Sequence, residues 1–234
     1  MEQCSAISFM RHGHPYHLYV YDHVDGIPDG VVIKDANEIL NRDRIFKYSG
    51  IDSYAGFANV FRYKLLFERG HYWADTDMIC LRPVRIDGEH VFARQRLPLL
   101  RLRRPCLNGC MMRAPEGSPV MKACYEASIA KDPKALQWGE IGPRLLTAVV
   151  SRQGYDRFCA APSAFCPIDF WKWRDIICPH AWVRARNRFR MRNSFAVHLW
   201  NEMWRRAGVS KDARFPAPCL YEMIKARYMN CDLA

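Results

Sequence analysis

A chain of 234 residues, 50% hydrophobic and 25% charged, carries enough apolar side chains for one sizeable core, which excludes a disordered polypeptide and points to a single domain over 1–234. Its net charge of +11 suits an anionic partner, whether nucleic acid, a phospholipid surface or a phosphorylated substrate, or equally a solvated basic face. No apolar run reaches the roughly 18 residues of a membrane span, and the N-terminus lacks the basic-then-apolar pattern of a secretory leader, so a cytoplasmic protein is expected.

In chain order, residues 1–10 read as a short helix, Tyr16 to Tyr21 as an apolar strand, Gly26 to Gly30 as a turn and 31–33 as a second short strand. Asp35 to Glu38 starts a helical turn. The clearest element is Phe57 to Arg69, helical by its apolar positions 57, 60, 61, 65 and 66 and stopped by Gly70. Asn59 and Arg62 share one face of it. Tyr72 to Ala74 is a strand that delivers Asp75 and Asp77, with 78–81 continuing it to Pro83. Val91 to Ala93 and Asn108 to Met112 are further strands, and Pro119 to Ile129 is a helix with proline in its first turn. Trp138 to Pro143 is a loop leading into a helix over 144–151, Ala196 to Trp200 is extended, and Leu220 to Tyr228 is helical. The alternation predicts an α/β fold with a loop-rich C-terminal half.

The ten cysteines form no C-x-x-C pair and no Cys/His spacing typical of zinc, so reduced, mostly buried thiols are expected. His12, His14 and His17 read as a surface loop, and Trp171-Lys172-Trp173 as packing. Positive charge gathers at Arg101-Leu102-Arg103-Arg104 and over Arg184 to Arg192. Aromatics interleaved with that arginine run would suit nucleic acid, but no nucleic-acid motif accompanies them and the acidic pair stays unexplained, so no nucleic-acid partner is expected.

Asp75-Thr76-Asp77 carries the most chemistry. Two carboxylates one residue apart can close on one hard divalent cation, Mg²⁺ or Mn²⁺, which keeps coordination positions open for phosphate oxygens. At the carboxyl end of a strand, the motif lies where open α/β sheets bind ligands. On its own, D-x-D is more often a solvated turn, and the surrounding residues decide.

Phe57 to Asp77, with Asn59, Arg62, Gly70 and Asp75-Thr76-Asp77 in order, resembles the sugar-binding D-x-D region of bacterial capsule and lipopolysaccharide glycosyltransferases of glycosyltransferase family 32, an α-1,4-glycosyltransferase-like group. The likeness continues in Asn108-Gly109, in Trp138-Gly139-Glu140-Ile141-Gly142-Pro143 and in His198-Leu199-Trp200-Asn201-Glu202-Met203-Trp204-Arg205. It implies a glycosyltransferase-A fold, a mixed central sheet flanked by helices, with 1–112 as the nucleotide-sugar and metal half and 113–234 as the acceptor half. It further implies retaining, Mn²⁺- or Mg²⁺-dependent transfer of a hexose from a UDP- or GDP-sugar to a glycan or lipid-linked acceptor in surface polysaccharide synthesis, with peripheral contact at the inner, anionic membrane face through Arg184 to Arg192. By the same resemblance Asp75, Asp77 and Arg62 are the catalytic set. Asp75, Asp77 and His198 are the metal ligands. Asn59, Arg62, Asn108 and Trp200 contact the donor sugar, and Glu140 stands on the acceptor side. The competing structural roles are an Arg62–Glu68 ion pair, a satisfied core histidine at 198 and core tryptophans at 200 and 204.

The chain departs from the pattern twice. Relatives open with a strand ahead of the helix that matches residues 2–10, so a central sheet position is expected to lack its strand and the chain is alternatively a truncated, weakly active or non-catalytic relative. His71 stands where relatives carry a second glycine, so the turn there is expected to use a conformation that histidine permits.

Overall fold

The computed structural model describes residues 1–98 and 106–229, which leaves Arg101-Leu102-Arg103-Arg104 and Cys231 outside the described residues. The elements run α1 (Glu2–Arg11), β1 (His17–Val20), β2 (Val32–Asp35), α2 (Ala55–Arg69), β3 (His71–Ala74), β4 (Met78–Cys80), β5 (Val91–Gln95), β6 (Cys106–Ala114), α3 (Pro119–Ile129), α4 (Leu145–Arg152), β7 (Cys159–Ala160), α5 (Pro162–Phe165), α6 (Ala181–Met191), β8 (Ala196–His198), α7 (Asn201–Arg206) and α8 (Leu220–Met229). The main sheet is mixed, in the order β3-β6-β5-β7, with β6 antiparallel to both neighbours and β7 parallel to β5. Two smaller ladders stand beside it: parallel β1-β2 and antiparallel β4-β8.

Helix α2 organises the centre. Its Tyr63 and Leu66 pack with Met112 of the sheet and with Val120 and Met121 of α3, while Phe57, Val60, Phe61 and Leu65 join a second apolar group with Ile39, Leu40 and Leu136. Apolar contact on two sides leaves α2 enclosed, so the polar Asn59 and Arg62 on it are buried as well. Helix α3 starts as its sequence prescribes, with Ser118 Oγ accepting from the Met121 N–H and Pro119 in the first turn. A third apolar group ties α1 to β4, β8 and α8. There the Cys80 N–H donates to Ser8 Oγ at 2.8 Å and the Tyr228 hydroxyl to the Cys80 carbonyl at 2.9 Å.

The turn between α2 and β3 shows why glycine stands at 70. Its φ is +64°, and a Cβ there would lie 2.5 Å from the Glu116 amide nitrogen. His71 follows at φ +68°, so this histidine takes the left-handed conformation that a second glycine would adopt freely.

One expectation is corrected. Residues 78–81 do not continue β3: the chain leaves the main sheet at Asp75-Thr76-Asp77 and enters the separate β4-β8 ladder. An unbroken apolar run hides such a change of partner, because periodicity says nothing about which strand lies opposite. The C-terminal half keeps long stretches between elements, as expected, and also carries α5, α6 and α7, which the spacing of apolar residues does not reveal. Helix α6 buries only Val183 and Asn187, four apart on one face, and its arginines mask that short apolar signal.

Among the described residues, β1 pairs only with β2 and β3 only with β6. The free edges of β1 and β3 border a cleft of about 590 Å³, lined by consecutive residues of both strands (17–19 and 71–74) and by Phe57, Phe61 and Leu65. Consecutive lining residues mean that backbone edges, rather than one side-chain face, meet the cleft.

Candidate functional site

Asp75 follows β3 and remains tied to the sheet, its N–H donating to the Cys110 carbonyl at 2.8 Å. The chain then turns, the Met78 N–H returns to the Asp75 carbonyl, and β4 begins. Met78 pairs with His198 in the β4-β8 register, and the Leu199 N–H donates to the Asp77 carbonyl at 3.0 Å. That register brings His198 from the far end of the chain to the acidic pair. The ligand atoms of Asp75, Asp77 and His198 lie within 4.8 Å of one another, so the set expected from the sequence is assembled.

Each acid has its own surroundings. Asp75 Oδ1 accepts from Trp73 Nε1 at 2.8 Å and lies 3.1 Å from Arg62 Nη2. Burial raises the Asp75 carboxyl above its ordinary range against the pull of Arg62, and the charge of Asp77 adds to the rise. Asp77 Oδ2 accepts the Asn201 N–H at 2.8 Å and lies 3.2 Å from His198 Nε2. Burial opposes the Asp77 charge, but His198 and the Asn201 N–H outweigh it and hold this carboxyl below the usual range. His198 is buried too; desolvation disfavours its charge, yet Asp77 and Cys110 keep the imidazole well above its ordinary value. One acid of the pair is thus held ionised and the other is held back, an arrangement that added positive charge would relieve.

Arg62 is fixed from three sides. Its Nε donates to the Ala58 carbonyl at 3.2 Å, its guanidinium lies 5.0 Å from the Trp73 ring centroid, and Nη2 meets Asp75 rather than Glu68. The space it fills exists because residue 109 has no side chain: a Cβ there would stand 2.2 Å from Arg62 Nη1. Gly142 does the same for Asn59, whose Nδ2 would lie 2.9 Å from a Cβ at 142. The Tyr63 hydroxyl donates to the Ile141 carbonyl at 3.1 Å, which holds the 138–143 loop against α2. We therefore expect Gly109→Ala to leave the fold intact, because the far end of a flexible side chain can move, and to displace Arg62 from Asp75. The expected loss of whatever turnover the site supports is about 10- to 100-fold, the range for residues that orient a site, and unchanged turnover with Arg62 still against Asp75 would refute it.

The other residues expected here have local partners. Asn108 spans a bulge in the β5-β6 ladder, its Nδ2 donating to Gln95 Oε1 at 2.6 Å and its Oδ1 accepting the Cys110 N–H at 2.8 Å. Glu140 accepts the Gln137 N–H and pairs with Lys131 at 2.9 Å, within the loop that carries Gly142. Trp200 is buried at φ +60°, its indole N–H on the Ile168 carbonyl and its ring 3.9 Å from the His198 ring, where it backs the imidazole. Trp204 is fully buried against Trp173 and Tyr221. Three participants escape sequence reasoning: Trp73 as a donor to Asp75, the Asn201 N–H on Asp77, and Cys110 with Cys166 beside His198. Alternation along β3 could have flagged Trp73. The two cysteines lie 56 residues apart and leave no local signal.

Residues 114–228 match the family model described as "Alpha 1,4-glycosyltransferase conserved region", a stretch that includes His198 and stops short of Asp75 and Asp77. No curated protein matches the chain. Among solved structures, the one titled "PaToxG Glycosyltransferase" aligns with 97% of this chain and 79% of its own, at 10% identity and a TM-score of 0.48.

Proposed function

We propose that this chain, a glycosyltransferase, moves a hexose from a UDP- or GDP-sugar to a glycan or lipid-linked acceptor, with retention and with Mn²⁺ or Mg²⁺, on a glycosyltransferase-A fold. The observation that carries this reading is the convergence of Asp75, Asp77 and His198 beside a buried Arg62. Two carboxylates and an imidazole suit Mn²⁺ and, with less use of the nitrogen, Mg²⁺. When bound, such an ion supplies Lewis-acid stabilisation of charge on a leaving diphosphate. Asp75 and Asp77 provide its oxygen ligands, and His198 either joins them through Nε2 or keeps that nitrogen on Asp77 and orients the carboxylate. Arg62 offers a fork of donors to sugar or phosphate oxygens while it stays on Asp75. Asn59, on the same helix and against Gly142, presents an amide to the sugar hydroxyls.

Membership of glycosyltransferase family 32, and a role in capsule or lipopolysaccharide synthesis, extend this proposal. Contact with an anionic membrane fits the outward side of α6, where Trp182 is 63% and Phe189 64% exposed at helical spacing beside the exposed Arg188 and Arg192. Co-sedimentation with phosphatidylglycerol vesicles should fall several-fold when both aromatics become alanine. Binding that stays unchanged removes α6 as the docking element.

A panel of nucleotide-sugars with Mn²⁺, followed by nucleoside diphosphate release, tests the proposed reaction: release from one donor supports it, and release that persists undiminished in excess chelator removes the metal. The cleft between β1 and β3 favours one second reading, a weakly active or non-catalytic relative. That reading requires nucleoside diphosphate binding without release from any donor.

A further inference from the structure

Next to the acidic pair, and sharing His198 with it, lies a second group of ligating atoms. Cys110 on β6 and Cys166 just past α5 bring their sulfurs to 3.7 Å, and with His198 they form a buried set whose ligand atoms all lie within 4.8 Å of one another. A disulfide needs sulfurs about 2.05 Å apart. A tetrahedral ion with metal–sulfur bonds of about 2.3 Å holds its two sulfurs about 3.8 Å apart. The observed separation excludes the first, matches the second, and in the absence of an ion is spanned by a thiol–thiol hydrogen bond.

The imidazole supports the same assignment. His198 Nε2 is engaged with Asp77 at 3.2 Å, while Nδ1 is buried with no hydrogen-bond partner, although the residue is only 6% exposed. A metal-bound histidine characteristically gives its other ring N–H to a carboxylate. His198 already has that carboxylate on one nitrogen, and its other nitrogen makes no hydrogen bond of good geometry, with Cys110 as its neighbour. Charge also balances: two thiolates, a neutral imidazole and a divalent cation sum to zero, which a buried position tolerates.

We propose that Cys110 Sγ, Cys166 Sγ and His198 Nδ1 bind one thiophilic divalent ion, Zn²⁺ by donor type, with the fourth position left to water. Binding converts both thiols to thiolates and takes the proton from His198 Nδ1, leaving the ring neutral with Nε2–H on Asp77, and all three protons pass to solvent. Soft sulfur ligands select against Mg²⁺ and Mn²⁺, so the sulfur and carboxylate sides of His198 take different metals. With the thiophilic ion in place, His198 keeps Nε2–H on Asp77 and acts on the carboxylate site by orienting it. The proposal does not depend on sugar transfer and is tested without turnover.

The test is a Cd²⁺ titration of metal-stripped, reduced full-length protein in excess Mg²⁺, followed by thiolate-to-cadmium ultraviolet absorption and by native mass spectrometry. The expected result is an absorption that saturates near one equivalent, competes with Zn²⁺, persists in Cys124→Ser and is lost in Cys110→Ser and in Cys166→Ser. Cys110→Ala and Cys166→Ala, checked by circular dichroism, serve if a serine variant fails to fold. Absence of the absorption in folded wild-type protein, or equal absorption and stoichiometry in the folded Cys110 and Cys166 variants, would overturn the assignment.

Discussion

Asp77→Asn should fold and lose divalent-dependent sugar transfer by about 10³-fold or more, several kcal/mol of transition-state stabilisation. The neutral amide can still accept the Asn201 N–H that Asp77 accepts at 2.8 Å, so the start of α7 keeps its anchor. It cannot offer a full negative charge to a cation or to His198. The stability cost follows from losing charged hydrogen bonds, about 1.5–3 kcal/mol. Its pH dependence has a defined sign. His198 and the Asn201 N–H hold the folded-state Asp77 carboxyl below 3.8, so its contribution is present above that value and is lost as the pH falls through the lower folded-state value. Asp77→Asn should therefore unfold with a flatter acid limb than wild type in chemical denaturation. Turnover within about twofold of wild type at saturating Mn²⁺ would show that Asp77 is not a ligand of consequence.

Arg62→Met is expected to harm both stability and transfer. Removing one partner of a buried ion pair leaves the other charge uncompensated, at a cost of about 3–5 kcal/mol when both are enclosed. Arg62 is 8% exposed but Asp75 is 24% exposed, so about 2–3 kcal/mol is the better expectation here. Methionine keeps much of the apolar stem against Trp73 and isolates the loss of the guanidinium. Arg62→Lys separates the two roles: an ammonium restores most of the stability as a point charge, but it lacks the planar fork for oxygens and should not restore turnover. Equal melting temperature and equal turnover in Arg62→Met and wild type would place Arg62 outside the site.

Much of this was legible in the sequence, and for identifiable reasons. Helix α2 announces itself through its apolar spacing and Gly70, and the observed helix differs from the expected span only at its start. Asp75 and Asp77 are visible as a motif because their spacing is local. What the sequence hides is whatever depends on a distant partner. That β4 leaves the main sheet to pair with β8 cannot be read from Met78 to Cys80, which are apolar whichever strand lies opposite. Gly109 and Gly142 look like ordinary glycines until Arg62 and Asn59 are seen filling the space above them. Helix α6 was concealed by its arginines, some of which serve packed structure: Arg186 pairs with Asp175 at 2.6 Å, and Arg190 lies 3.8 Å from Asp169. The cysteines show the same limit, since scattered thiols reveal nothing until two of them meet at His198.

The most direct measurement of the central claim is Mn²⁺ uptake followed by electron paramagnetic resonance, with wild type and the Asp75→Asn/Asp77→Asn double variant compared with and without a nucleoside diphosphate. The carboxylate site predicts that wild type removes about one equivalent of free Mn²⁺ signal, more tightly with the diphosphate, and that the folded double variant removes little. Equal Mn²⁺ uptake by the two proteins, unaffected by the diphosphate, would contradict it.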